Sequence, residues 1–343
     1  MNQLELTYHP YELKLKTPFE TAKGKITERR GFIISLKSSS GKIGIGDVSP
    51  LPEFGSETYE QAEQLIASIK IAIRVGREGI KQSLKNLLSD FNSHPALKHG
   101  LEQAIINLIC NESDISIAEL LELRLKKEIA INAAIGFLKP QEAAARALQF
   151  VKEGFKTLKL KTGRENFEDD LETVRLIRKA VGEDVKIRID TNGKWSLVDA
   201  INYLNKLKEF KLEYAEQPVN SVEEFNELKS KTSVPLAVDE SIRDIDSAIN
   251  FISEKAIDYV ILKPMMLGGL LPTIEIIELA ENNNVAPVIT SSFESAIGRA
   301  HTVIAAASVR VDIAHGLAIS KYFENDIAED KYPVINGMIK VYK

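Results

Sequence analysis

Charged residues recur through the middle of this chain at nearly constant intervals, and each one closes a short apolar run. Lys161 ends TLKLK, Asp190 ends VKIRID, Glu216 ends LEYAE, Asp239 ends PLAVD and Lys263 ends YVILK. The intervals between them run from 23 to 29 residues, which is the length of one strand, one helix and two short loops. Such a repeat predicts the βα units of a parallel barrel, whose carboxyl-terminal mouth carries the chemistry.

Eight segments of the chain have the apolar character of strands in a parallel sheet, and stretches with helical spacing fill the gaps between them. The predicted strands are 128–135, 157–161, 185–190, 211–216, 235–240, 257–263, 285–290 and 311–315. Eight is the number of strands that a closed (β/α)8 barrel requires. The predicted fold class is therefore α/β, with a (β/α)8-type barrel.

The residues before this repeat have a different pattern. The alternating YELKLK and GFIISLK, followed by IGIGDV, predict antiparallel strands in the first 50 residues. Apolar spacing between residues 58 and 110 then predicts helices. We expect an α+β capping domain over residues 1–112, a barrel domain over 113–320, and a final segment, 321–343, that packs back on the capping domain.

Composition narrows the classes of function. The formal net charge of −5 argues against a nucleic-acid-binding protein, which needs a basic face. No run approaches the roughly 18 apolar residues of a membrane span, and the N-terminus lacks the apolar core of a signal peptide. The single cysteine, Cys110, lies in an apolar helical stretch, which predicts a packing role. We expect a cytoplasmic protein that binds neither nucleic acid nor membrane, and a homo-oligomer is compatible with the sequence.

Three carboxylates should meet at the mouth of the predicted barrel. Asp190, Glu216 and Asp239 end consecutive strands, and neighbouring strands lie about 4.8 Å apart. Three acids this close repel one another unless a cation joins them. Ligation by oxygen alone favours Mg²⁺, with Mn²⁺ as the second choice, and no His or Cys at these positions favours zinc.

Lysines stand on both sides of these acids. Lys159 and Lys161 share one face of a strand because residues two apart point the same way. Like charges this close depress each other's pKa, which is useful if one of the two must act as a neutral base. Lys263 ends the sixth strand, roughly across the barrel. The pattern therefore favours a carbon acid bracketed by two lysines, and the alternative is a set of solvated lysines on frayed strand ends.

Predicted loops around the mouth supply candidates for holding a small carboxylate substrate. Glycines permit close approach of a ligand to the backbone, and serines after the seventh strand offer hydroxyl and N–H groups. The candidate substrate-binding residues are Gly268, Gly269, Ser291, Ser292, Arg29 and Lys23. His315, at the end of the eighth predicted strand, is expected to pack or to form hydrogen bonds rather than to catalyse.

Five segments resemble the enolase superfamily and, within it, the muconate-lactonizing subgroup. They are KLK at 159–161, DTN at 190–192, EQP at 216–218, VDES at 238–241 and LKP at 262–264. The resemblance covers nearly the whole chain and implies a modified barrel with an N-terminal capping domain. It implies Mg²⁺ ligation by Asp190, Glu216 and Asp239, acid/base roles for Lys161 and Lys263, tuning of Lys161 by Lys159, and places near the metal for Asn192 and Glu240.

Two further segments bear on the reaction. HGLAISKYF at 315–323 has no acid where dipeptide epimerases carry an Asp-x-Asp pair, and TSSFES at 290–295 lacks the histidine of the mandelate racemase branch. Both segments look like those of the o-succinylbenzoate synthases. That resemblance implies a carbon–oxygen lyase of menaquinone biosynthesis, which dehydrates 2-succinyl-6-hydroxy-2,4-cyclohexadiene-1-carboxylate.

Other functions remain open at this point. Racemisation of N-succinylamino acids, or epimerisation of other acylated amino acids or dipeptides, would use the same two lysines. Muconate cycloisomerisation is a weaker alternative. A non-catalytic barrel that acts as a binding protein is a distant one.

Overall fold

The computed structural model describes residues 2–21, 24–69, 72–73 and 80–342. Lys23, a candidate substrate-binding residue, lies outside the described residues. Within the described residues, the capping domain contains an antiparallel sheet of three strands in chain order, a short two-stranded pair and three α-helices. Its elements are β1 (Asn2–Gln3), β2 (Glu5–Thr21), β3 (Gly24–Lys37), β4 (Ile43–Val48), β5 (Ala72–Ile73), α1 (Tyr59–Ser68), α2 (Ile80–Leu87) and α3 (Pro95–Ser113).

Helix α3 packs directly on strand β4. A Cβ at Gly44 or Gly46 would collide with backbone atoms of α3, so glycine is what allows the two backbones to approach this closely. Three amide side chains, each four residues apart on α3, also bond to alternate residues of β4. These pairs are Gln103 Oε1 with Asp47 N, Asn107 Nδ2 with Ile45 O, and Asn111 Nδ2 with Ile43 O.

The second part of the chain alternates strands and helices as the repeat predicts. Its strands are β6 (Glu128–Ala130), β7 (Ala133–Ile135), β8 (Thr157–Lys161), β9 (Lys186–Asp190), β10 (Tyr214–Glu216), β11 (Leu236–Val238), β12 (Tyr259–Leu262), β13 (Ala286–Ile289), β14 (Val334–Ile335) and β15 (Met338–Lys340). Its helices are α4 (Ile117–Leu121), α5 (Pro140–Lys152), α6 (Phe167–Val181), α7 (Leu197–Leu207), α8 (Val222–Lys231), α9 (Ile245–Ser253), α10 (Pro264–Leu267), α11 (Leu270–Asn282) and α12 (Ala296–Ser308).

Strands β7 to β13 form one parallel sheet in which every strand pairs with its neighbours in sequence. The predicted first strand is divided, because β6 leaves this sheet and pairs with β15 in the antiparallel sense. The predicted helices occupy the gaps. Several of them begin at a side chain that caps the helix, such as Ser196, Ser221 and Asp244, where a short polar side chain accepts a free N–H of the first turn.

The eighth predicted strand, 311–315, does not form, so a closed eight-stranded barrel is not what the described residues show. His315 and Gly316 hold the eighth position through two isolated parallel bridges, to Ile131 and Thr290. No longer strand forms here because the residues just before His315 carry charged side chains that point to the surface. Arg310 pairs with Glu281 and Asp312 pairs with Lys126 on the surface.

The second half of the final segment, which we expected to pack back on the capping domain, pairs with a strand at the start of the barrel domain. Strands β14 and β15 form a hairpin whose second strand pairs with β6, at the start of the barrel domain. The beginning of the segment meets the capping domain, where Phe323 forms a bridge with Leu15 and the Glu324 N–H donates to the Lys14 carbonyl at 2.9 Å. The physical cause is that β6 has a free edge, which β15 covers.

Buried apolar side chains run continuously from the capping domain through the barrel domain, and Cys110 is buried among them. A smaller cluster at the domain interface contains Leu13, Leu51, Phe293 and Phe323. Across the described parts of the chain, no helix combines the length and the apolar character that crossing a bilayer demands.

His315 closes the seam of the curled sheet. Its Nδ1 accepts the Ile289 N–H at 3.0 Å, and its backbone N–H donates to the Ala130 carbonyl at 2.8 Å. The ring is 1% exposed, which confirms the expected packing and hydrogen-bonding role. Burial, with smaller contributions from Arg188 and Lys126, lowers the pKa of His315 to about 3.

Replacing His315 should therefore change how stability depends on pH. His315→Asn keeps an acceptor for the Ile289 N–H and removes the titration. As the pH falls below the ordinary histidine pKa of 6.5, the unfolded chain takes up a proton at this position and the folded chain does not, so the wild type loses stability down to about pH 3. We expect the free energy of unfolding, wild type minus variant, to be largest at pH 7. It should fall by up to about 1.4 kcal/mol per pH unit below about pH 6. Urea unfolding across this range measures it, and a difference that does not vary with pH contradicts the assignment.

Candidate active site

A cavity opens at the carboxyl ends of the parallel strands, beneath a short turn of the capping domain that contributes Glu53 and Phe54. This is the end of a parallel sheet at which ligands of such folds bind. Most of the residues expected at the site from the sequence line this cavity. They are Lys159, Lys161, Asp190, Asn192, Asp239, Glu240, Lys263 and Ser291.

Strand register brings the first group of charges together. Asp190 lies opposite Lys161 on one side and opposite Glu216 on the other. The Nζ atom of Lys159 is 2.6 Å from Glu216 Oε1 and 2.9 Å from Asp190 Oδ2, and Lys161 Nζ is 2.8 Å from Asp190 Oδ2. Asp190 and Glu216 are almost completely buried, so these pairs lie in a medium that screens charge weakly.

A second group lies further along the sheet. Lys263 forms an ion pair with Asp239, and its Nζ lies 5.4 Å from the centre of the Phe54 ring, within the range of a cation–π contact. Asn192 connects the two groups, since its Oδ1 accepts from Lys161 Nζ at 2.6 Å and its Nδ2 donates to Glu240 Oε1 at 2.6 Å.

Opposing influences act on the protonation of these residues. Burial by itself lowers the pKa of Lys159, but the carboxylates of Asp190 and Glu216 outweigh it and hold that pKa well above its usual range. Burial likewise lowers the pKa of Lys263, and Asp239 outweighs it and raises that pKa. Burial and the Asp190 charge raise the pKa of Glu216. In this structure Lys159 is therefore held as an ammonium between two acids.

The three acids do not converge on one point as the sequence predicted. Within the described residues, no group of three or more His, Cys, Asp or Glu side chains has a spacing that could hold a metal ion. The lysines are the reason, because the Lys159 ammonium lies between Asp190 and Glu216, and the Lys263 ammonium lies on Asp239.

The donor set nevertheless fits a hard cation. Glu216 Oε2 is buried and has no hydrogen-bond partner in the described part of the chain, and an unpaired buried carboxylate oxygen is costly. Asp190 ends one neighbouring strand, Asp239 follows the other, and both carry further oxygens. These residues could hold a Mg²⁺ ion once the lysine Nζ atoms move aside, because Mg²⁺ prefers carboxylate oxygens.

Gln217 forms hydrogen bonds with the loops that follow the neighbouring strands of the site, and it was not among the residues expected there from the sequence. Its Oε1 accepts the Asp239 N–H at 2.8 Å, and its Nε2 donates to Ser241 Oγ at 2.7 Å. Its carbonyl accepts from Thr191 Oγ1 at 2.6 Å. The residue is 1% exposed and has a left-handed backbone, with φ 42°. The signal in the sequence is an amide directly after a strand-end acid, because a buried amide must satisfy both its donor and its acceptor groups.

Ser291 and Ser292 separate in the structure. Ser291 lines the cavity, and its Oγ donates to Glu294 Oε2 at 2.7 Å. Ser292 does not line it; its N–H donates to the same carboxylate, and its Oγ is buried without a partner in the described residues. The two serines therefore face different surroundings, because the chain turns at Phe293, whose φ is 59°.

Gly268, Gly269 and Arg29 lie in the domain interface rather than in the cavity wall. A Cβ at Gly269 would clash with the Glu102 carboxylate of α3, and one at Gly268 would come within 2.9 Å of Lys98. The glycines therefore make room for the capping domain. The Arg29 guanidinium is 3% exposed and donates to the carbonyls of Ser49, Pro50 and Phe293 and to Ser49 Oγ.

Five other wall residues are not among the substrate-binding candidates named above, although four of them lie in the segments 290–295 and 315–323. Asn132, Thr290 and Gly316 surround the seam at the eighth position, and Ile319 and Tyr322 complete the wall beside it. These residues come from loops between or after strands, where no periodic pattern marks them.

Two family models match the chain. The model described as Enolase C-terminal domain-like matches residues 142–343, and the model described as MenC, N-terminal domain matches residues 3–108.

The chain is 32% identical over 220 residues to the o-succinylbenzoate synthase of Thermobifida fusca, which covers 63% of this chain and 68% of that protein. It is 23% identical over 330 residues to the N-succinyl-L-Arg/Lys racemase of Bacillus cereus, which covers 94% and 88%. A solved dipeptide epimerase from Cytophaga hutchinsonii, complexed with Mg and the dipeptide D-Ala-L-Val, matches with a TM-score of 0.86 at 26% identity, covering 99% of this chain and 92% of that chain. These relatives carry out different reactions, so similarity alone does not select one.

Removing the Gln217 side chain should weaken cation binding without removing any ligand. We expect Gln217→Ala to lower the affinity for Mg²⁺ roughly ten- to hundredfold, the usual cost of losing a residue that orients metal ligands. Calorimetric titration with Mg²⁺ measures this without substrate. Ser241→Ala, which removes only one of the bonds, is the matched control and should lose less. Wild-type affinity in Gln217→Ala contradicts the role.

Proposed function

This chain belongs to the enolase superfamily, and we propose that within it the protein is an o-succinylbenzoate synthase. Its substrate would be 2-succinyl-6-hydroxy-2,4-cyclohexadiene-1-carboxylate, and the reaction would be the loss of water, a carbon–oxygen lyase reaction of menaquinone biosynthesis.

The observation that carries this proposal is the character of one cavity wall. Gly316, Ala318, Ile319 and Tyr322 form the wall after the eighth position, and residues 316–323 contain no acid. A dipeptide brings a free ammonium that needs a carboxylate partner, since an unpaired buried charge is expensive. An apolar wall instead suits a carbocyclic ring without an ammonium. The similarity to the Thermobifida fusca enzyme supports the same assignment.

Asp190, Glu216 and Asp239 are proposed to hold Mg²⁺, or Mn²⁺ as the second choice, and Asn192 and Glu240 lie beside them. The bound cation would supply positive charge next to the substrate's ring carboxylate, where negative charge develops when the α-proton leaves. The remaining chemistry belongs to side chains of this chain.

Lys161 is proposed to take the proton. Its Nζ lies at the cavity wall beside Asn192, so the neutral amine would accept the proton from C1 of the ring. The electron pair left at C1 would first delocalise into the ring carboxylate, and it would then form the C1–C6 double bond as the C6–O bond breaks. The departing hydroxide takes a proton from the Lys161 ammonium and leaves as water, and the ring becomes aromatic. Lys159, held between two acids, adds positive charge behind Lys161.

Lys263 is proposed to act from the other face of the ring. It follows β12, and Lys161 ends β8, so the three strands that carry the acids lie between the two lysines. The Lys263 ammonium would stabilise the negative intermediate by its charge and, as the ring becomes aromatic, by a cation–π contact. Ser291, in the loop after β13, would bind the substrate from that side of the cavity.

Racemisation of N-succinylamino acids is the second candidate. The observation that favours it is the same pair of lysines on opposite sides of the cavity, because a racemase needs one base for each face of its carbanion. An N-acylated substrate also lacks the ammonium that the apolar wall cannot satisfy. The two reactions differ in what they require of Lys263.

Activity should depend on a divalent cation with a preference for oxygen ligands. After treatment with EDTA we expect turnover of the cyclohexadiene carboxylate to fall to background, and Mg²⁺ or Mn²⁺ to restore it. Zn²⁺ should restore less, because no histidine or cysteine is present at the site. Formation of the aromatic product, followed by its absorbance, measures the rate. Full activity in the metal-free protein would contradict the proposed site.

The two lysines separate dehydration from racemisation. Dehydration on one face needs only Lys161 as a base, so Lys161→Ala should lower its rate by several orders of magnitude. Lys263→Arg keeps the positive charge but cannot act as a base, and we expect measurable dehydration from it. The same variant should lose racemisation of N-succinylamino acids in at least one direction.

Binding of the product o-succinylbenzoate, measured by calorimetry, controls for the larger size of arginine. A Lys263→Arg protein that binds the product normally but dehydrates no better than Lys161→Ala would refute the one-base mechanism. Wild-type protein that racemises N-succinylamino acids and does not dehydrate the cyclohexadiene would transfer the assignment to the second candidate.

A further inference from the structure

One carboxylate of the capping domain reaches the start of a barrel helix. Asp47, on β4, is completely buried, and its Oδ2 accepts from the N–H of Ser295 at 3.0 Å and from Ser295 Oγ at 2.7 Å. Ser295 is the N-cap of α12. The other oxygen, Oδ1, accepts from Tyr11 Oη at 2.7 Å. A Cβ at Gly298 would come within 2.6 Å of Asp47 Oδ2, so the first turn of α12 has room for this acid only because residue 298 is glycine.

A second carboxylate repeats the arrangement one helix earlier. Glu102, on α3, is 2% exposed, and it accepts the N–H of Leu270 and, at 3.3 Å, the N–H of Leu271. These are the first two residues of α11. A Cβ at Gly269 would clash with the Glu102 carboxylate. Again a glycine at the helix start makes room for an acid from the other domain.

Both helix starts follow loops of the active site. Lys263 is the N-cap of α10, and Gly268 and Gly269 join α10 directly to α11. Ser291 and Phe293, which line the cavity, lie in the loop that ends at Ser295. The two acids themselves do not line that cavity. They act at the far end of each loop, where the first N–H groups of a helix have no partner within the helix and need an acceptor.

We propose that Asp47 and Glu102 are positioning residues, which dock the capping domain onto α11 and α12 and thereby fix the loops that carry Lys263 and Ser291. Neither touches the substrate. Other bonds cross the same interface, notably from Gln103 Nε2 to the Ile297 carbonyl at 2.7 Å and from Arg29 to the Phe293 carbonyl at 3.3 Å. The two acids differ from these residues because each accepts N–H groups at the start of a barrel helix, whereas Gln103 and Arg29 donate to backbone carbonyls.

The protonation of the two acids guides the choice of variants. Burial raises the pKa of Asp47 to about 6, against hydrogen bonds from Ser295 and Tyr11 that lower it. Burial raises the pKa of Glu102 to about 8, against the Leu270 and Leu271 N–H groups and Lys98. At pH 7 Asp47 is therefore mostly charged and Glu102 mostly neutral. Glu102→Gln imitates the neutral acid, so it should resemble the wild type, whereas Asp47→Asn loses the charge.

Alanine variants of three buried acids test the proposal. Glu57 is the matched control: it is 4% exposed and accepts the N–H groups of Ala96 and Leu97 at 3.2 and 2.6 Å, so it caps a helix of its own domain. Asp47→Ala, Glu102→Ala and Glu57→Ala each remove the acceptor from a helix start, and only the first two remove it across the domain interface. Circular dichroism establishes that each variant is folded.

Hydrogen exchange provides the readout that needs no substrate. We expect faster exchange in the 291–298 segment of Asp47→Ala and in the 267–273 segment of Glu102→Ala, and unchanged exchange in both segments of Glu57→Ala. Glu102→Gln should restore most of the lost protection. Unchanged exchange at both helix starts in folded Asp47→Ala and Glu102→Ala overturns the proposal, and so does equal loosening by Glu57→Ala. If an alanine variant does not fold, Asp47→Asn or Glu102→Gln is measured in its place at pH 9, where both wild-type acids are charged.

A kinetic readout, which rests on the proposed function, distinguishes positioning from general stability. We expect kcat/KM for the cyclohexadiene carboxylate to fall roughly ten- to hundredfold in Asp47→Ala and Glu102→Ala, the scale of small misplacements of catalytic groups. Glu57→Ala should stay near the wild type wherever it is folded. An equal fall in all three folded variants overturns the proposal. If the wild-type protein does not turn over this substrate, the proposed function is wrong. Hydrogen exchange alone then tests whether Asp47 and Glu102 are positioning residues.

Discussion

The ion pairs among Lys159, Asp190 and Glu216 are the interaction on which the rest of the site depends. Two acids and a lysine are buried together at the ends of adjacent strands, where removing charges from water costs several kcal/mol for each ion. Such a group persists only if strong backbone pairing holds it, and the strands β8, β9 and β10 provide that pairing. The arrangement keeps carboxylate groups at the cavity, where they could bind a cation that in turn binds an anionic substrate. A surface site of the same composition would be screened by water and would gain little.

The loops above the strands convert this charged centre into a site with two sides. Gln217 links the loops after three strands, and Asn192 links Lys161 to Glu240. The capping domain adds the Phe54 ring beside Lys263. Its buried acids Asp47 and Glu102 contact the first residues of α12 and α11, the helices that come after β13 and β12. The barrel domain thus supplies the charged residues, and the capping domain covers them and contacts two of the loops that carry them.

The charged centre was predictable from the sequence and the domain interface was not. Asp190, Glu216 and Asp239 recur at the period of a βα unit, and that period determines where strand-end residues lie. The eighth predicted strand, 311–315, does not form. Its prediction rested on apolar content alone, whereas Arg310 and Asp312 form ion pairs with partners on the surface. The contacts of Gly269 and Arg29 join residues far apart in the chain, so the sequence does not reveal that these two residues lie in the domain interface. Glu102 and Leu270 are 168 positions apart, and no local pattern indicates such a contact.

A crystal structure of the protein with Mg²⁺ and o-succinylbenzoate is the most direct test of the proposed site. We expect one metal ion bound by Asp190, Glu216 and Asp239, with the lysine ammonium groups moved off these acids. The aromatic ring should lie between Lys161 on one face and Lys263 on the other. A metal ion bound elsewhere, or two lysines on the same face of the ring, would contradict it.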